Sequence, residues 1–171
     1  PQTGKSTVFT YLGRYERRKG IEELNHVLLS LTNASETFVF NFIGPFQASQ
    51  KISADGVVYH GSITDNQSIM KILDTTDFLV CPSWSEGMPN VILEAMARSC
   101  AIVASDVGAV SDMVDETNGF LIQAGNTKEL RNTLIRAMKT DPKTLLRMKE
   151  ASLNMIKTQF RYEIIIDAFV Q

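Results

Sequence analysis

Short runs of β-branched and aromatic residues alternate with longer stretches of helical periodicity along most of this chain. That alternation is typical of βαβ units, in which each strand returns to one parallel sheet through a helix. We therefore expect an α/β domain with a doubly wound, Rossmann-like parallel sheet and helices on both faces. The six predicted strands are Thr7 to Leu12, Thr37 to Ile43, Val57 to His60, Asp77 to Cys81, Cys100 to Ala104 and Gly119 to Gln123.

Helices are predicted between the strands, where apolar residues recur every three or four positions. The first helix carries such a stripe, formed by Ile21, Leu24, Leu28 and Leu31. A later helix begins after Asp65, a favourable N-cap residue, and another has Pro89 in its first turn, where proline is tolerated. The helix with Pro89 continues from Val91 to Ser99. The other helical segments are Phe46 to Ser53, which is weak, Ser111 to Glu116, Thr127 to Lys139, Pro142 to Lys157 and Tyr162 to Val170.

Bulk properties exclude several classes of protein. The chain has 171 residues, a formal net charge of −2 and no basic run longer than three residues, so it lacks the positive footprint of a nucleic-acid-binding protein. Cys81 and Cys100 lie in apolar stretches, which favours two reduced core thiols over a disulfide. No apolar run reaches the roughly 18 residues of a membrane span and the start lacks a signal-peptide pattern, so we expect a cytoplasmic chain.

Two cations follow the first predicted strand, and ligands of doubly wound sheets bind outside the carboxyl ends of the strands. Arg14 and Lys19 lie there, beside the glycines Gly13 and Gly20. Arginine offers phosphate oxygens a planar fork and lysine a movable charge, so the pair can hold a diphosphate from two sides. The alternative is a solvated loop, because other charged residues surround the pair.

A second cluster follows the apolar strand that ends at Cys81. Gly87 permits close backbone approach, and a helix that begins near Pro89 directs free N–H groups towards the crevice, which suits a phosphate. Glu86 and Glu94 flank this position, where carboxylates suit sugar and ribose hydroxyl groups. The structural alternative makes Glu94 a partner of the helix dipole and Glu86 a surface charge. The cluster is Ser85-Glu86-Gly87-Met88-Pro89-Asn90-Val91-Ile92-Leu93-Glu94.

Three further segments are assigned smaller roles. Gly61, Ser62 and Ile63 follow the third strand, where their backbone groups can face a nucleobase edge, which leaves the base unidentified. The turn from Ser105 to Ala109 is expected to be structural, and Trp84 either lines the sugar pocket or covers the cleft.

No metal site is predicted, because the sequence has no Asp-x-Asp and its two histidines, His26 and His60, are far apart with few candidate ligands nearby. A P-loop is excluded as well. The segment Gly4-Lys5-Ser6 lacks the required preceding glycine and comes before its strand instead of after it.

These segments together resemble the GT4 retaining glycosyltransferases. The stretch from Leu12 to Gly20 resembles the Gly-Arg…Lys-Gly segment of that family, and Glu86 with Glu94 matches its E-x7-E motif. The resemblance implies that residues 1–171 form the C-terminal, donor-binding lobe of a two-lobed GT-B fold, with the N-terminal acceptor lobe absent from this chain. The likeness continues through Ala104-Ser105-Asp106-Val107-Gly108 and Asn118-Gly119-Phe120-Leu121-Ile122, although Ala109 replaces a second family glycine.

The resemblance also implies roles for individual residues. Arg14 and Lys19 would hold the donor diphosphate and stabilise the leaving group, Glu86 would contact the transferred sugar, and Glu94 would contact the ribose. Arg14, Lys19 and Glu86 are thus the expected catalytic residues. The expected donor-binding residues are Gly13, Gly61, Ser62, Ile63, Glu86, Gly87, Met88, Pro89, Asn90, Val91 and Glu94.

The function implied is transfer of a hexosyl group, with retention, from a UDP, GDP or ADP sugar. The nucleotide sugar is a co-substrate, and no cofactor or metal is expected. A glycan or lipid-linked acceptor would bind the missing lobe, through which peripheral membrane association would also arise, and the isolated domain should bind without turnover. Two alternatives remain open, namely a non-catalytic nucleotide-sugar-binding module and a GT-B-fold sugar-nucleotide epimerase.

Overall fold

The computed structural model describes residues 6–160, and within them it has the sheet that the sequence predicts. All neighbouring strands pair in parallel, in the spatial order β3-β2-β1-β4-β5-β6. This order is that of a doubly wound sheet whose direction of growth reverses between β1 and β4. The strands are β1 (Thr7–Leu12), β2 (Phe38–Ile43), β3 (Val57–Gly61), β4 (Phe78–Cys81), β5 (Ala101–Ser105) and β6 (Gly119–Ile122).

Helices cover both faces of the sheet, as expected. In the described part of the chain they are α1 (Ile21–Asn33), α2 (Asn66–Thr75), α3 (Asn90–Ala97), α4 (Thr127–Met138) and α5 (Pro142–Thr158). α1 and α4 pack together on one face, whereas α3 packs against α5 on the other. The N-cap of α2 is Asp65, which accepts a hydrogen bond from the Ser68 N–H, so that prediction is confirmed.

Three local predictions are wrong. The weak helix at Phe46 to Ser53 is only a single 3-10 turn at Ala48–Gln50. Pro89 is the N-cap of α3 and not part of its first turn. The helix ends at Ala97, because Ser99 takes a left-handed conformation with φ 57°.

The helix expected at Ser111 to Glu116 is also wrong, since a 3-10 turn at Val110–Asp112 replaces it. The side chain of Asn118 explains the difference. Its Nδ2 donates to the Met113 carbonyl at 3.0 Å and its Oδ1 accepts from the Asp115 N–H at 2.9 Å, which closes a turn in place of a helix. The helix predicted at Tyr162 to Val170 lies outside the described residues.

An aromatic row fills the core between the sheet and the α1–α4 layer. The ring centres of Phe9 and Phe40 are 6.0 Å apart, and those of Phe9 and Phe78 are 5.9 Å apart. Phe78 also stacks at 6.0 Å on Phe120 of β6, across the small Ala101 of the intervening strand. The row therefore ties together strands from both halves of the sheet.

Both cysteines are free and buried, which confirms the prediction of core thiols. Cys81 ends β4 and Cys100 precedes β5 in the layer beneath α3. Burial raises the pKa of the Cys81 thiol to about 11 and that of Cys100 to about 12, so both are neutral at physiological pH.

Asp77 fastens the amino ends of β1 and β4 to α5. Its Oδ2 accepts from the Val8 N–H at 3.0 Å, and its own N–H donates to the Val8 carbonyl at 2.8 Å. Its Oδ1 lies 3.4 Å from Nζ of Lys149, which also donates to the Thr76 carbonyl at 2.8 Å. This buried carboxylate therefore holds the two strands at which the sheet changes direction.

Asp77→Ala should lower the free energy of unfolding by about 2–4 kcal/mol, because it leaves a strand N–H without an acceptor and a partly buried ammonium without its negatively charged partner. Asp74→Ala is the matched control: Asp74 is exposed and pairs with Arg98 at the surface, so about 1 kcal/mol or less should be lost. Urea unfolding at neutral pH measures both. Equal losses in the two variants would contradict the role assigned to Asp77.

Candidate functional site

Two loops meet at the carboxyl ends of β1 and β4, where the strand order reverses. Gly20 has a left-handed φ of 69°, and a side chain there would come within 1.9 Å of the Pro82 carbonyl oxygen. Next to this contact the Trp84 N–H donates to the Arg18 carbonyl at 2.8 Å. The backbones of the two loops are thus locked together, and only glycine fits at position 20.

Lys19 and Glu86 form an ion pair across this junction. Nζ of Lys19 lies 2.6 Å from Oε1 of Glu86, and the two side chains are only 20% and 7% exposed. Oγ of Ser83 donates to the same Oε1 at 2.7 Å, while a guanidinium nitrogen of Arg18 is 3.8 Å from Oε2. The site therefore holds a buried carboxylate in contact with the ammonium of a lysine side chain.

Arg14 is placed differently from Lys19. It is exposed, and within residues 6–160 its guanidinium makes no ion pair or hydrogen bond. Its backbone carbonyl accepts from the Tyr11 hydroxyl at 2.8 Å, and that same hydroxyl closely approaches Gly13. The loop is thus anchored through its backbone, which leaves the Arg14 side chain available to an anion.

The start of α3 has the unpaired donors expected of an anion site. Pro89 precedes the helix without a capping side chain, and the N–H groups of Asn90 and Val91 find no acceptor among the described residues. Met88, which precedes them, is 53% exposed. Free N–H groups at a helix start attract negative charge.

Glu94 lies one turn further along α3, on the same face as Asn90. It is half-buried, and the described residues give its carboxylate no hydrogen bond or ion pair. Burial alone raises the pKa of the Glu94 carboxyl from 4.5 to about 7. A desolvated carboxylate without a partner is suited to accept hydrogen bonds from ligand hydroxyl groups.

The turn after β5 packs against the backbone of the loop that carries Glu86. Gly108 has φ 56°, and a side chain there would come within 2.0 Å of the Glu86 carbonyl oxygen. The Ala109 N–H donates to the Gly87 carbonyl at 3.0 Å. These contacts agree with the structural role predicted for the segment from Ser105 to Ala109.

Gly61, Ser62 and Ile63 lie at the same edge of the sheet but at the end of β3, the outermost strand. The Gly61 carbonyl accepts from the Gly44 N–H at 2.9 Å, so one backbone group of the segment is already used. In the described part of the chain no hydrogen bond joins the segment to Lys19 or Glu86. The structure thus brings the Lys19 cluster and the Glu86 cluster together, whereas Gly61, Ser62 and Ile63 lie at the edge strand of the sheet.

Trp84 is a partly exposed aromatic residue two positions before Glu86. Its side chain is 43% exposed, its ring lies against Gly125 after β6, and the Arg17 guanidinium lies 5.3 Å from the ring centre. Arg17 is itself held by Glu23 at 2.7 Å. The ring therefore packs between Gly125 and the Arg17 side chain.

Sequence reasoning missed Ser83 and Arg18 as partners of Glu86. Ser83 is buried although it follows the strand, and its hydroxyl donates to the carboxylate of Glu86, three residues further along the chain. A serine directly after an apolar strand was a weak signal for this contact. Arg18 gave none, because its approach depends on how the two loops pack.

The described residues meet the requirements of neither a metal site nor a membrane-spanning helix. Among residues 6–160, no three His, Cys, Asp or Glu side chains are grouped so that they could hold a metal ion. Over the same residues, no helix has both the length and the apolar character required to cross a bilayer.

Comparison with known proteins agrees with this architecture. The C-terminal domain of LpcC, a glycosyl transferase group 1 family protein from Francisella tularensis, aligns with a TM-score of 0.77 at 21% identity, covering 92% of this chain and 87% of that one. Anabaena Alr3699/HepE, solved in complex with UDP and glucose, aligns with a TM-score of 0.76 at 19% identity, covering 96% and 47%. The fold is that of the Rossmann-like lobe of GT-B glycosyltransferases.

The sequence gives the family itself. Residues 6–140 match the model described as Glycosyl transferases group 1. TuaC of Bacillus subtilis (strain 168), named as a teichuronic acid biosynthesis glycosyltransferase, is 32% identical over 126 residues, which are 74% of this chain and 31% of TuaC. The chain belongs to the group 1 glycosyl transferases, and it spans less than half the length of the curated relatives it matches.

Burial of Glu94 predicts a pH-dependent stability. Because the folded-state pKa lies above the unfolded value of 4.5, the Glu94 contribution is fully present below pH 4.5 and is lost as pH rises through about 7. Relative to wild type, Glu94→Gln should therefore gain about 1 kcal/mol of stability between pH 4 and pH 8, after allowance for partial exposure to solvent.

Urea unfolding at several pH values measures this difference. Glu150→Gln makes the same chemical change at an exposed position of α5 and is the matched control. A difference between wild type and Glu94→Gln that stays constant with pH, or that appears equally in the control, would contradict the burial of this carboxyl.

Proposed function

We propose that this chain is the donor-binding domain of a glycosyltransferase that moves a hexosyl group from a nucleotide-diphosphate sugar to a glycan or lipid-linked acceptor. The transfer would retain the anomeric configuration, require no metal and take place in the cytoplasm. The acceptor would bind a second lobe outside this chain, and peripheral membrane association would also occur through that lobe. Family membership and the Rossmann-like fold support the general class.

One observation carries the specific proposal: a cation suited to phosphate and a carboxylate suited to sugar hydroxyls meet at the strand-order reversal. Lys19 and Glu86 are 2.6 Å apart at the carboxyl ends of β1 and β4. Doubly wound sheets bind their ligands in this crevice. Phosphate and sugar are adjacent groups in a nucleotide sugar, so the contact between their two expected partners fits such a ligand.

The remaining groups fit the rest of the donor. The N–H groups at the start of α3 and the guanidinium of Arg14, which have no partner among the described residues, suit the second phosphate. Glu94 suits the ribose, because its half-buried carboxylate needs hydroxyl donors. Gly61, Ser62 and Ile63 are proposed to border the base, and exposed Met88 and Gly87 to border the sugar.

In the proposed reaction the acceptor hydroxyl oxygen bonds to the anomeric carbon while the bond from that carbon to the phosphate oxygen breaks. The electron pair stays on the leaving phosphate, which takes the proton of the acceptor hydroxyl. Lys19, Arg14 and the start of α3 stabilise the charge that develops on this phosphate, a task that a metal ion performs in other transferases. Glu86 holds the sugar in position for attack.

Calorimetry of the chain against UDP, GDP, ADP and their sugar conjugates tests the proposal. UDP is the first choice, since the Anabaena structure contains UDP and glucose. We expect one nucleotide family to bind equally well with magnesium and with a chelator. Binding that requires magnesium would remove the metal-free mechanism, and failure of all three families to bind would remove the proposal.

Lys19→Ala should weaken both the nucleoside diphosphate and its sugar conjugate, the conjugate by about 10-fold, because the lost contact is to phosphate. Lys128→Ala removes an exposed lysine on α4 and is the matched control, with no expected change. A loss confined to the sugar conjugate would place Lys19 at the sugar instead.

Glu94→Ala should weaken donor binding by about 1–3 kcal/mol, because it removes the acceptor of the ribose hydroxyls. The 2′-deoxy nucleotide provides the internal control, since it should lose less affinity in this variant than the ribonucleotide does. Unchanged affinity for the ribonucleotide would remove Glu94 from the site.

A further inference from the structure

The carboxylate of Glu86 has two hydrogen-bond donors within the protein. Glu86 is 7% exposed, and its Oε1 receives hydrogen bonds from both Lys19 and Ser83. Within residues 6–160 the cation near its Oε2 is Arg18, at 3.8 Å. A carboxylate taken out of water needs such partners, so removal of Lys19 from this pair has a free-energy cost.

The backbone prevents the pair from separating by movement of the loops. Gly20 packs directly on the Pro82 carbonyl, and the Trp84 N–H donates to the Arg18 carbonyl. Gly108 and Ala109 support the Glu86 segment from the other side. An anion that recruits Lys19 therefore has to compete with a carboxylate whose backbone is held in place.

The two forms of the ligand differ in what they offer Glu86 in return. A nucleoside diphosphate would face Glu86 with phosphate oxygens, which accept hydrogen bonds and repel the carboxylate, because its ribose hydroxyls are proposed to bind Glu94. A nucleotide sugar brings hydroxyl groups, which donate hydrogen bonds to carboxylate oxygens. Only the sugar-bearing form can take over the role of Lys19 as a partner of Glu86.

We infer that Glu86 competes with the diphosphate for Lys19, so that the site selects the sugar-bearing donor over the free nucleoside diphosphate. This inference rests on the proposed function and adds a mechanism for discrimination between substrate and product. After transfer the sugar no longer partners Glu86, and recapture of Lys19 by the carboxylate weakens the hold on the departing diphosphate.

Glu86→Gln tests the inference, because it keeps the shape of the side chain and removes its charge. Calorimetry should find that the nucleoside diphosphate binds roughly 3- to 10-fold more tightly, whereas the sugar conjugate binds no more tightly or more weakly. Glu16→Gln is the matched control: it removes one charge from the same loop, where Glu16 pairs with Arg18 and not with Lys19, and should leave both affinities unchanged.

A second pair of variants separates competition from simple repulsion. In a Lys19→Met background, Glu86→Gln should change diphosphate affinity less than about two-fold, because no ammonium remains to be released. A rise as large as in the wild-type background would overturn the inference in favour of direct repulsion. An unchanged or lower diphosphate affinity in the single variant Glu86→Gln would also overturn it.

The outcomes distinguish this inference from the function on which it rests. If wild type binds both ligands and Glu86→Gln weakens both equally, the donor site stands and the selection mechanism fails. If wild type binds neither ligand, the proposed donor site fails and the inference fails with it. Circular dichroism of each variant verifies that the fold is retained.

Discussion

The parallel pairing of β1 with β4 is the constraint on which the candidate site depends. Phe9 lies opposite Phe78 in this pair, although 69 positions separate them in sequence, and the aromatic row across the sheet continues from both. Because parallel strands end at the same edge, the loops that follow β1 and β4 are forced side by side. Asp77 fixes the same two strands at their other end.

Two glycines, Gly20 and Gly108, allow the backbones of neighbouring loops to pack in direct contact. Gly20 lies against the Pro82 carbonyl, and Gly108 lies against the carbonyl of Glu86. A side chain at either glycine would collide with backbone, which cannot rotate away as a side chain can. The glycines therefore set the distance across which Lys19 reaches its partner, and the charge pair is a consequence of backbone packing.

The electrostatic character of the site follows from that geometry. One carboxylate, Glu86, is buried with a cation and a hydroxyl beside it, whereas the other, Glu94, is half-buried and finds no partner within residues 6–160. The two glutamates thus have different surroundings, and under the proposed function a ligand would exchange a partner at Glu86 and supply one at Glu94.

The sequence by itself determined the sheet, the order of its elements and the positions of the candidate residues directly after strands, because these follow from local periodicity. Only the tertiary structure decided that Ser83 joins Lys19 at Glu86, that Glu94 is desolvated, and that Asn118 closes a turn where a helix was predicted. These features depend on how side chains pack and are buried in the folded chain. Residue spacing gave at most one weak signal for them, the serine directly after the strand that ends at Cys81.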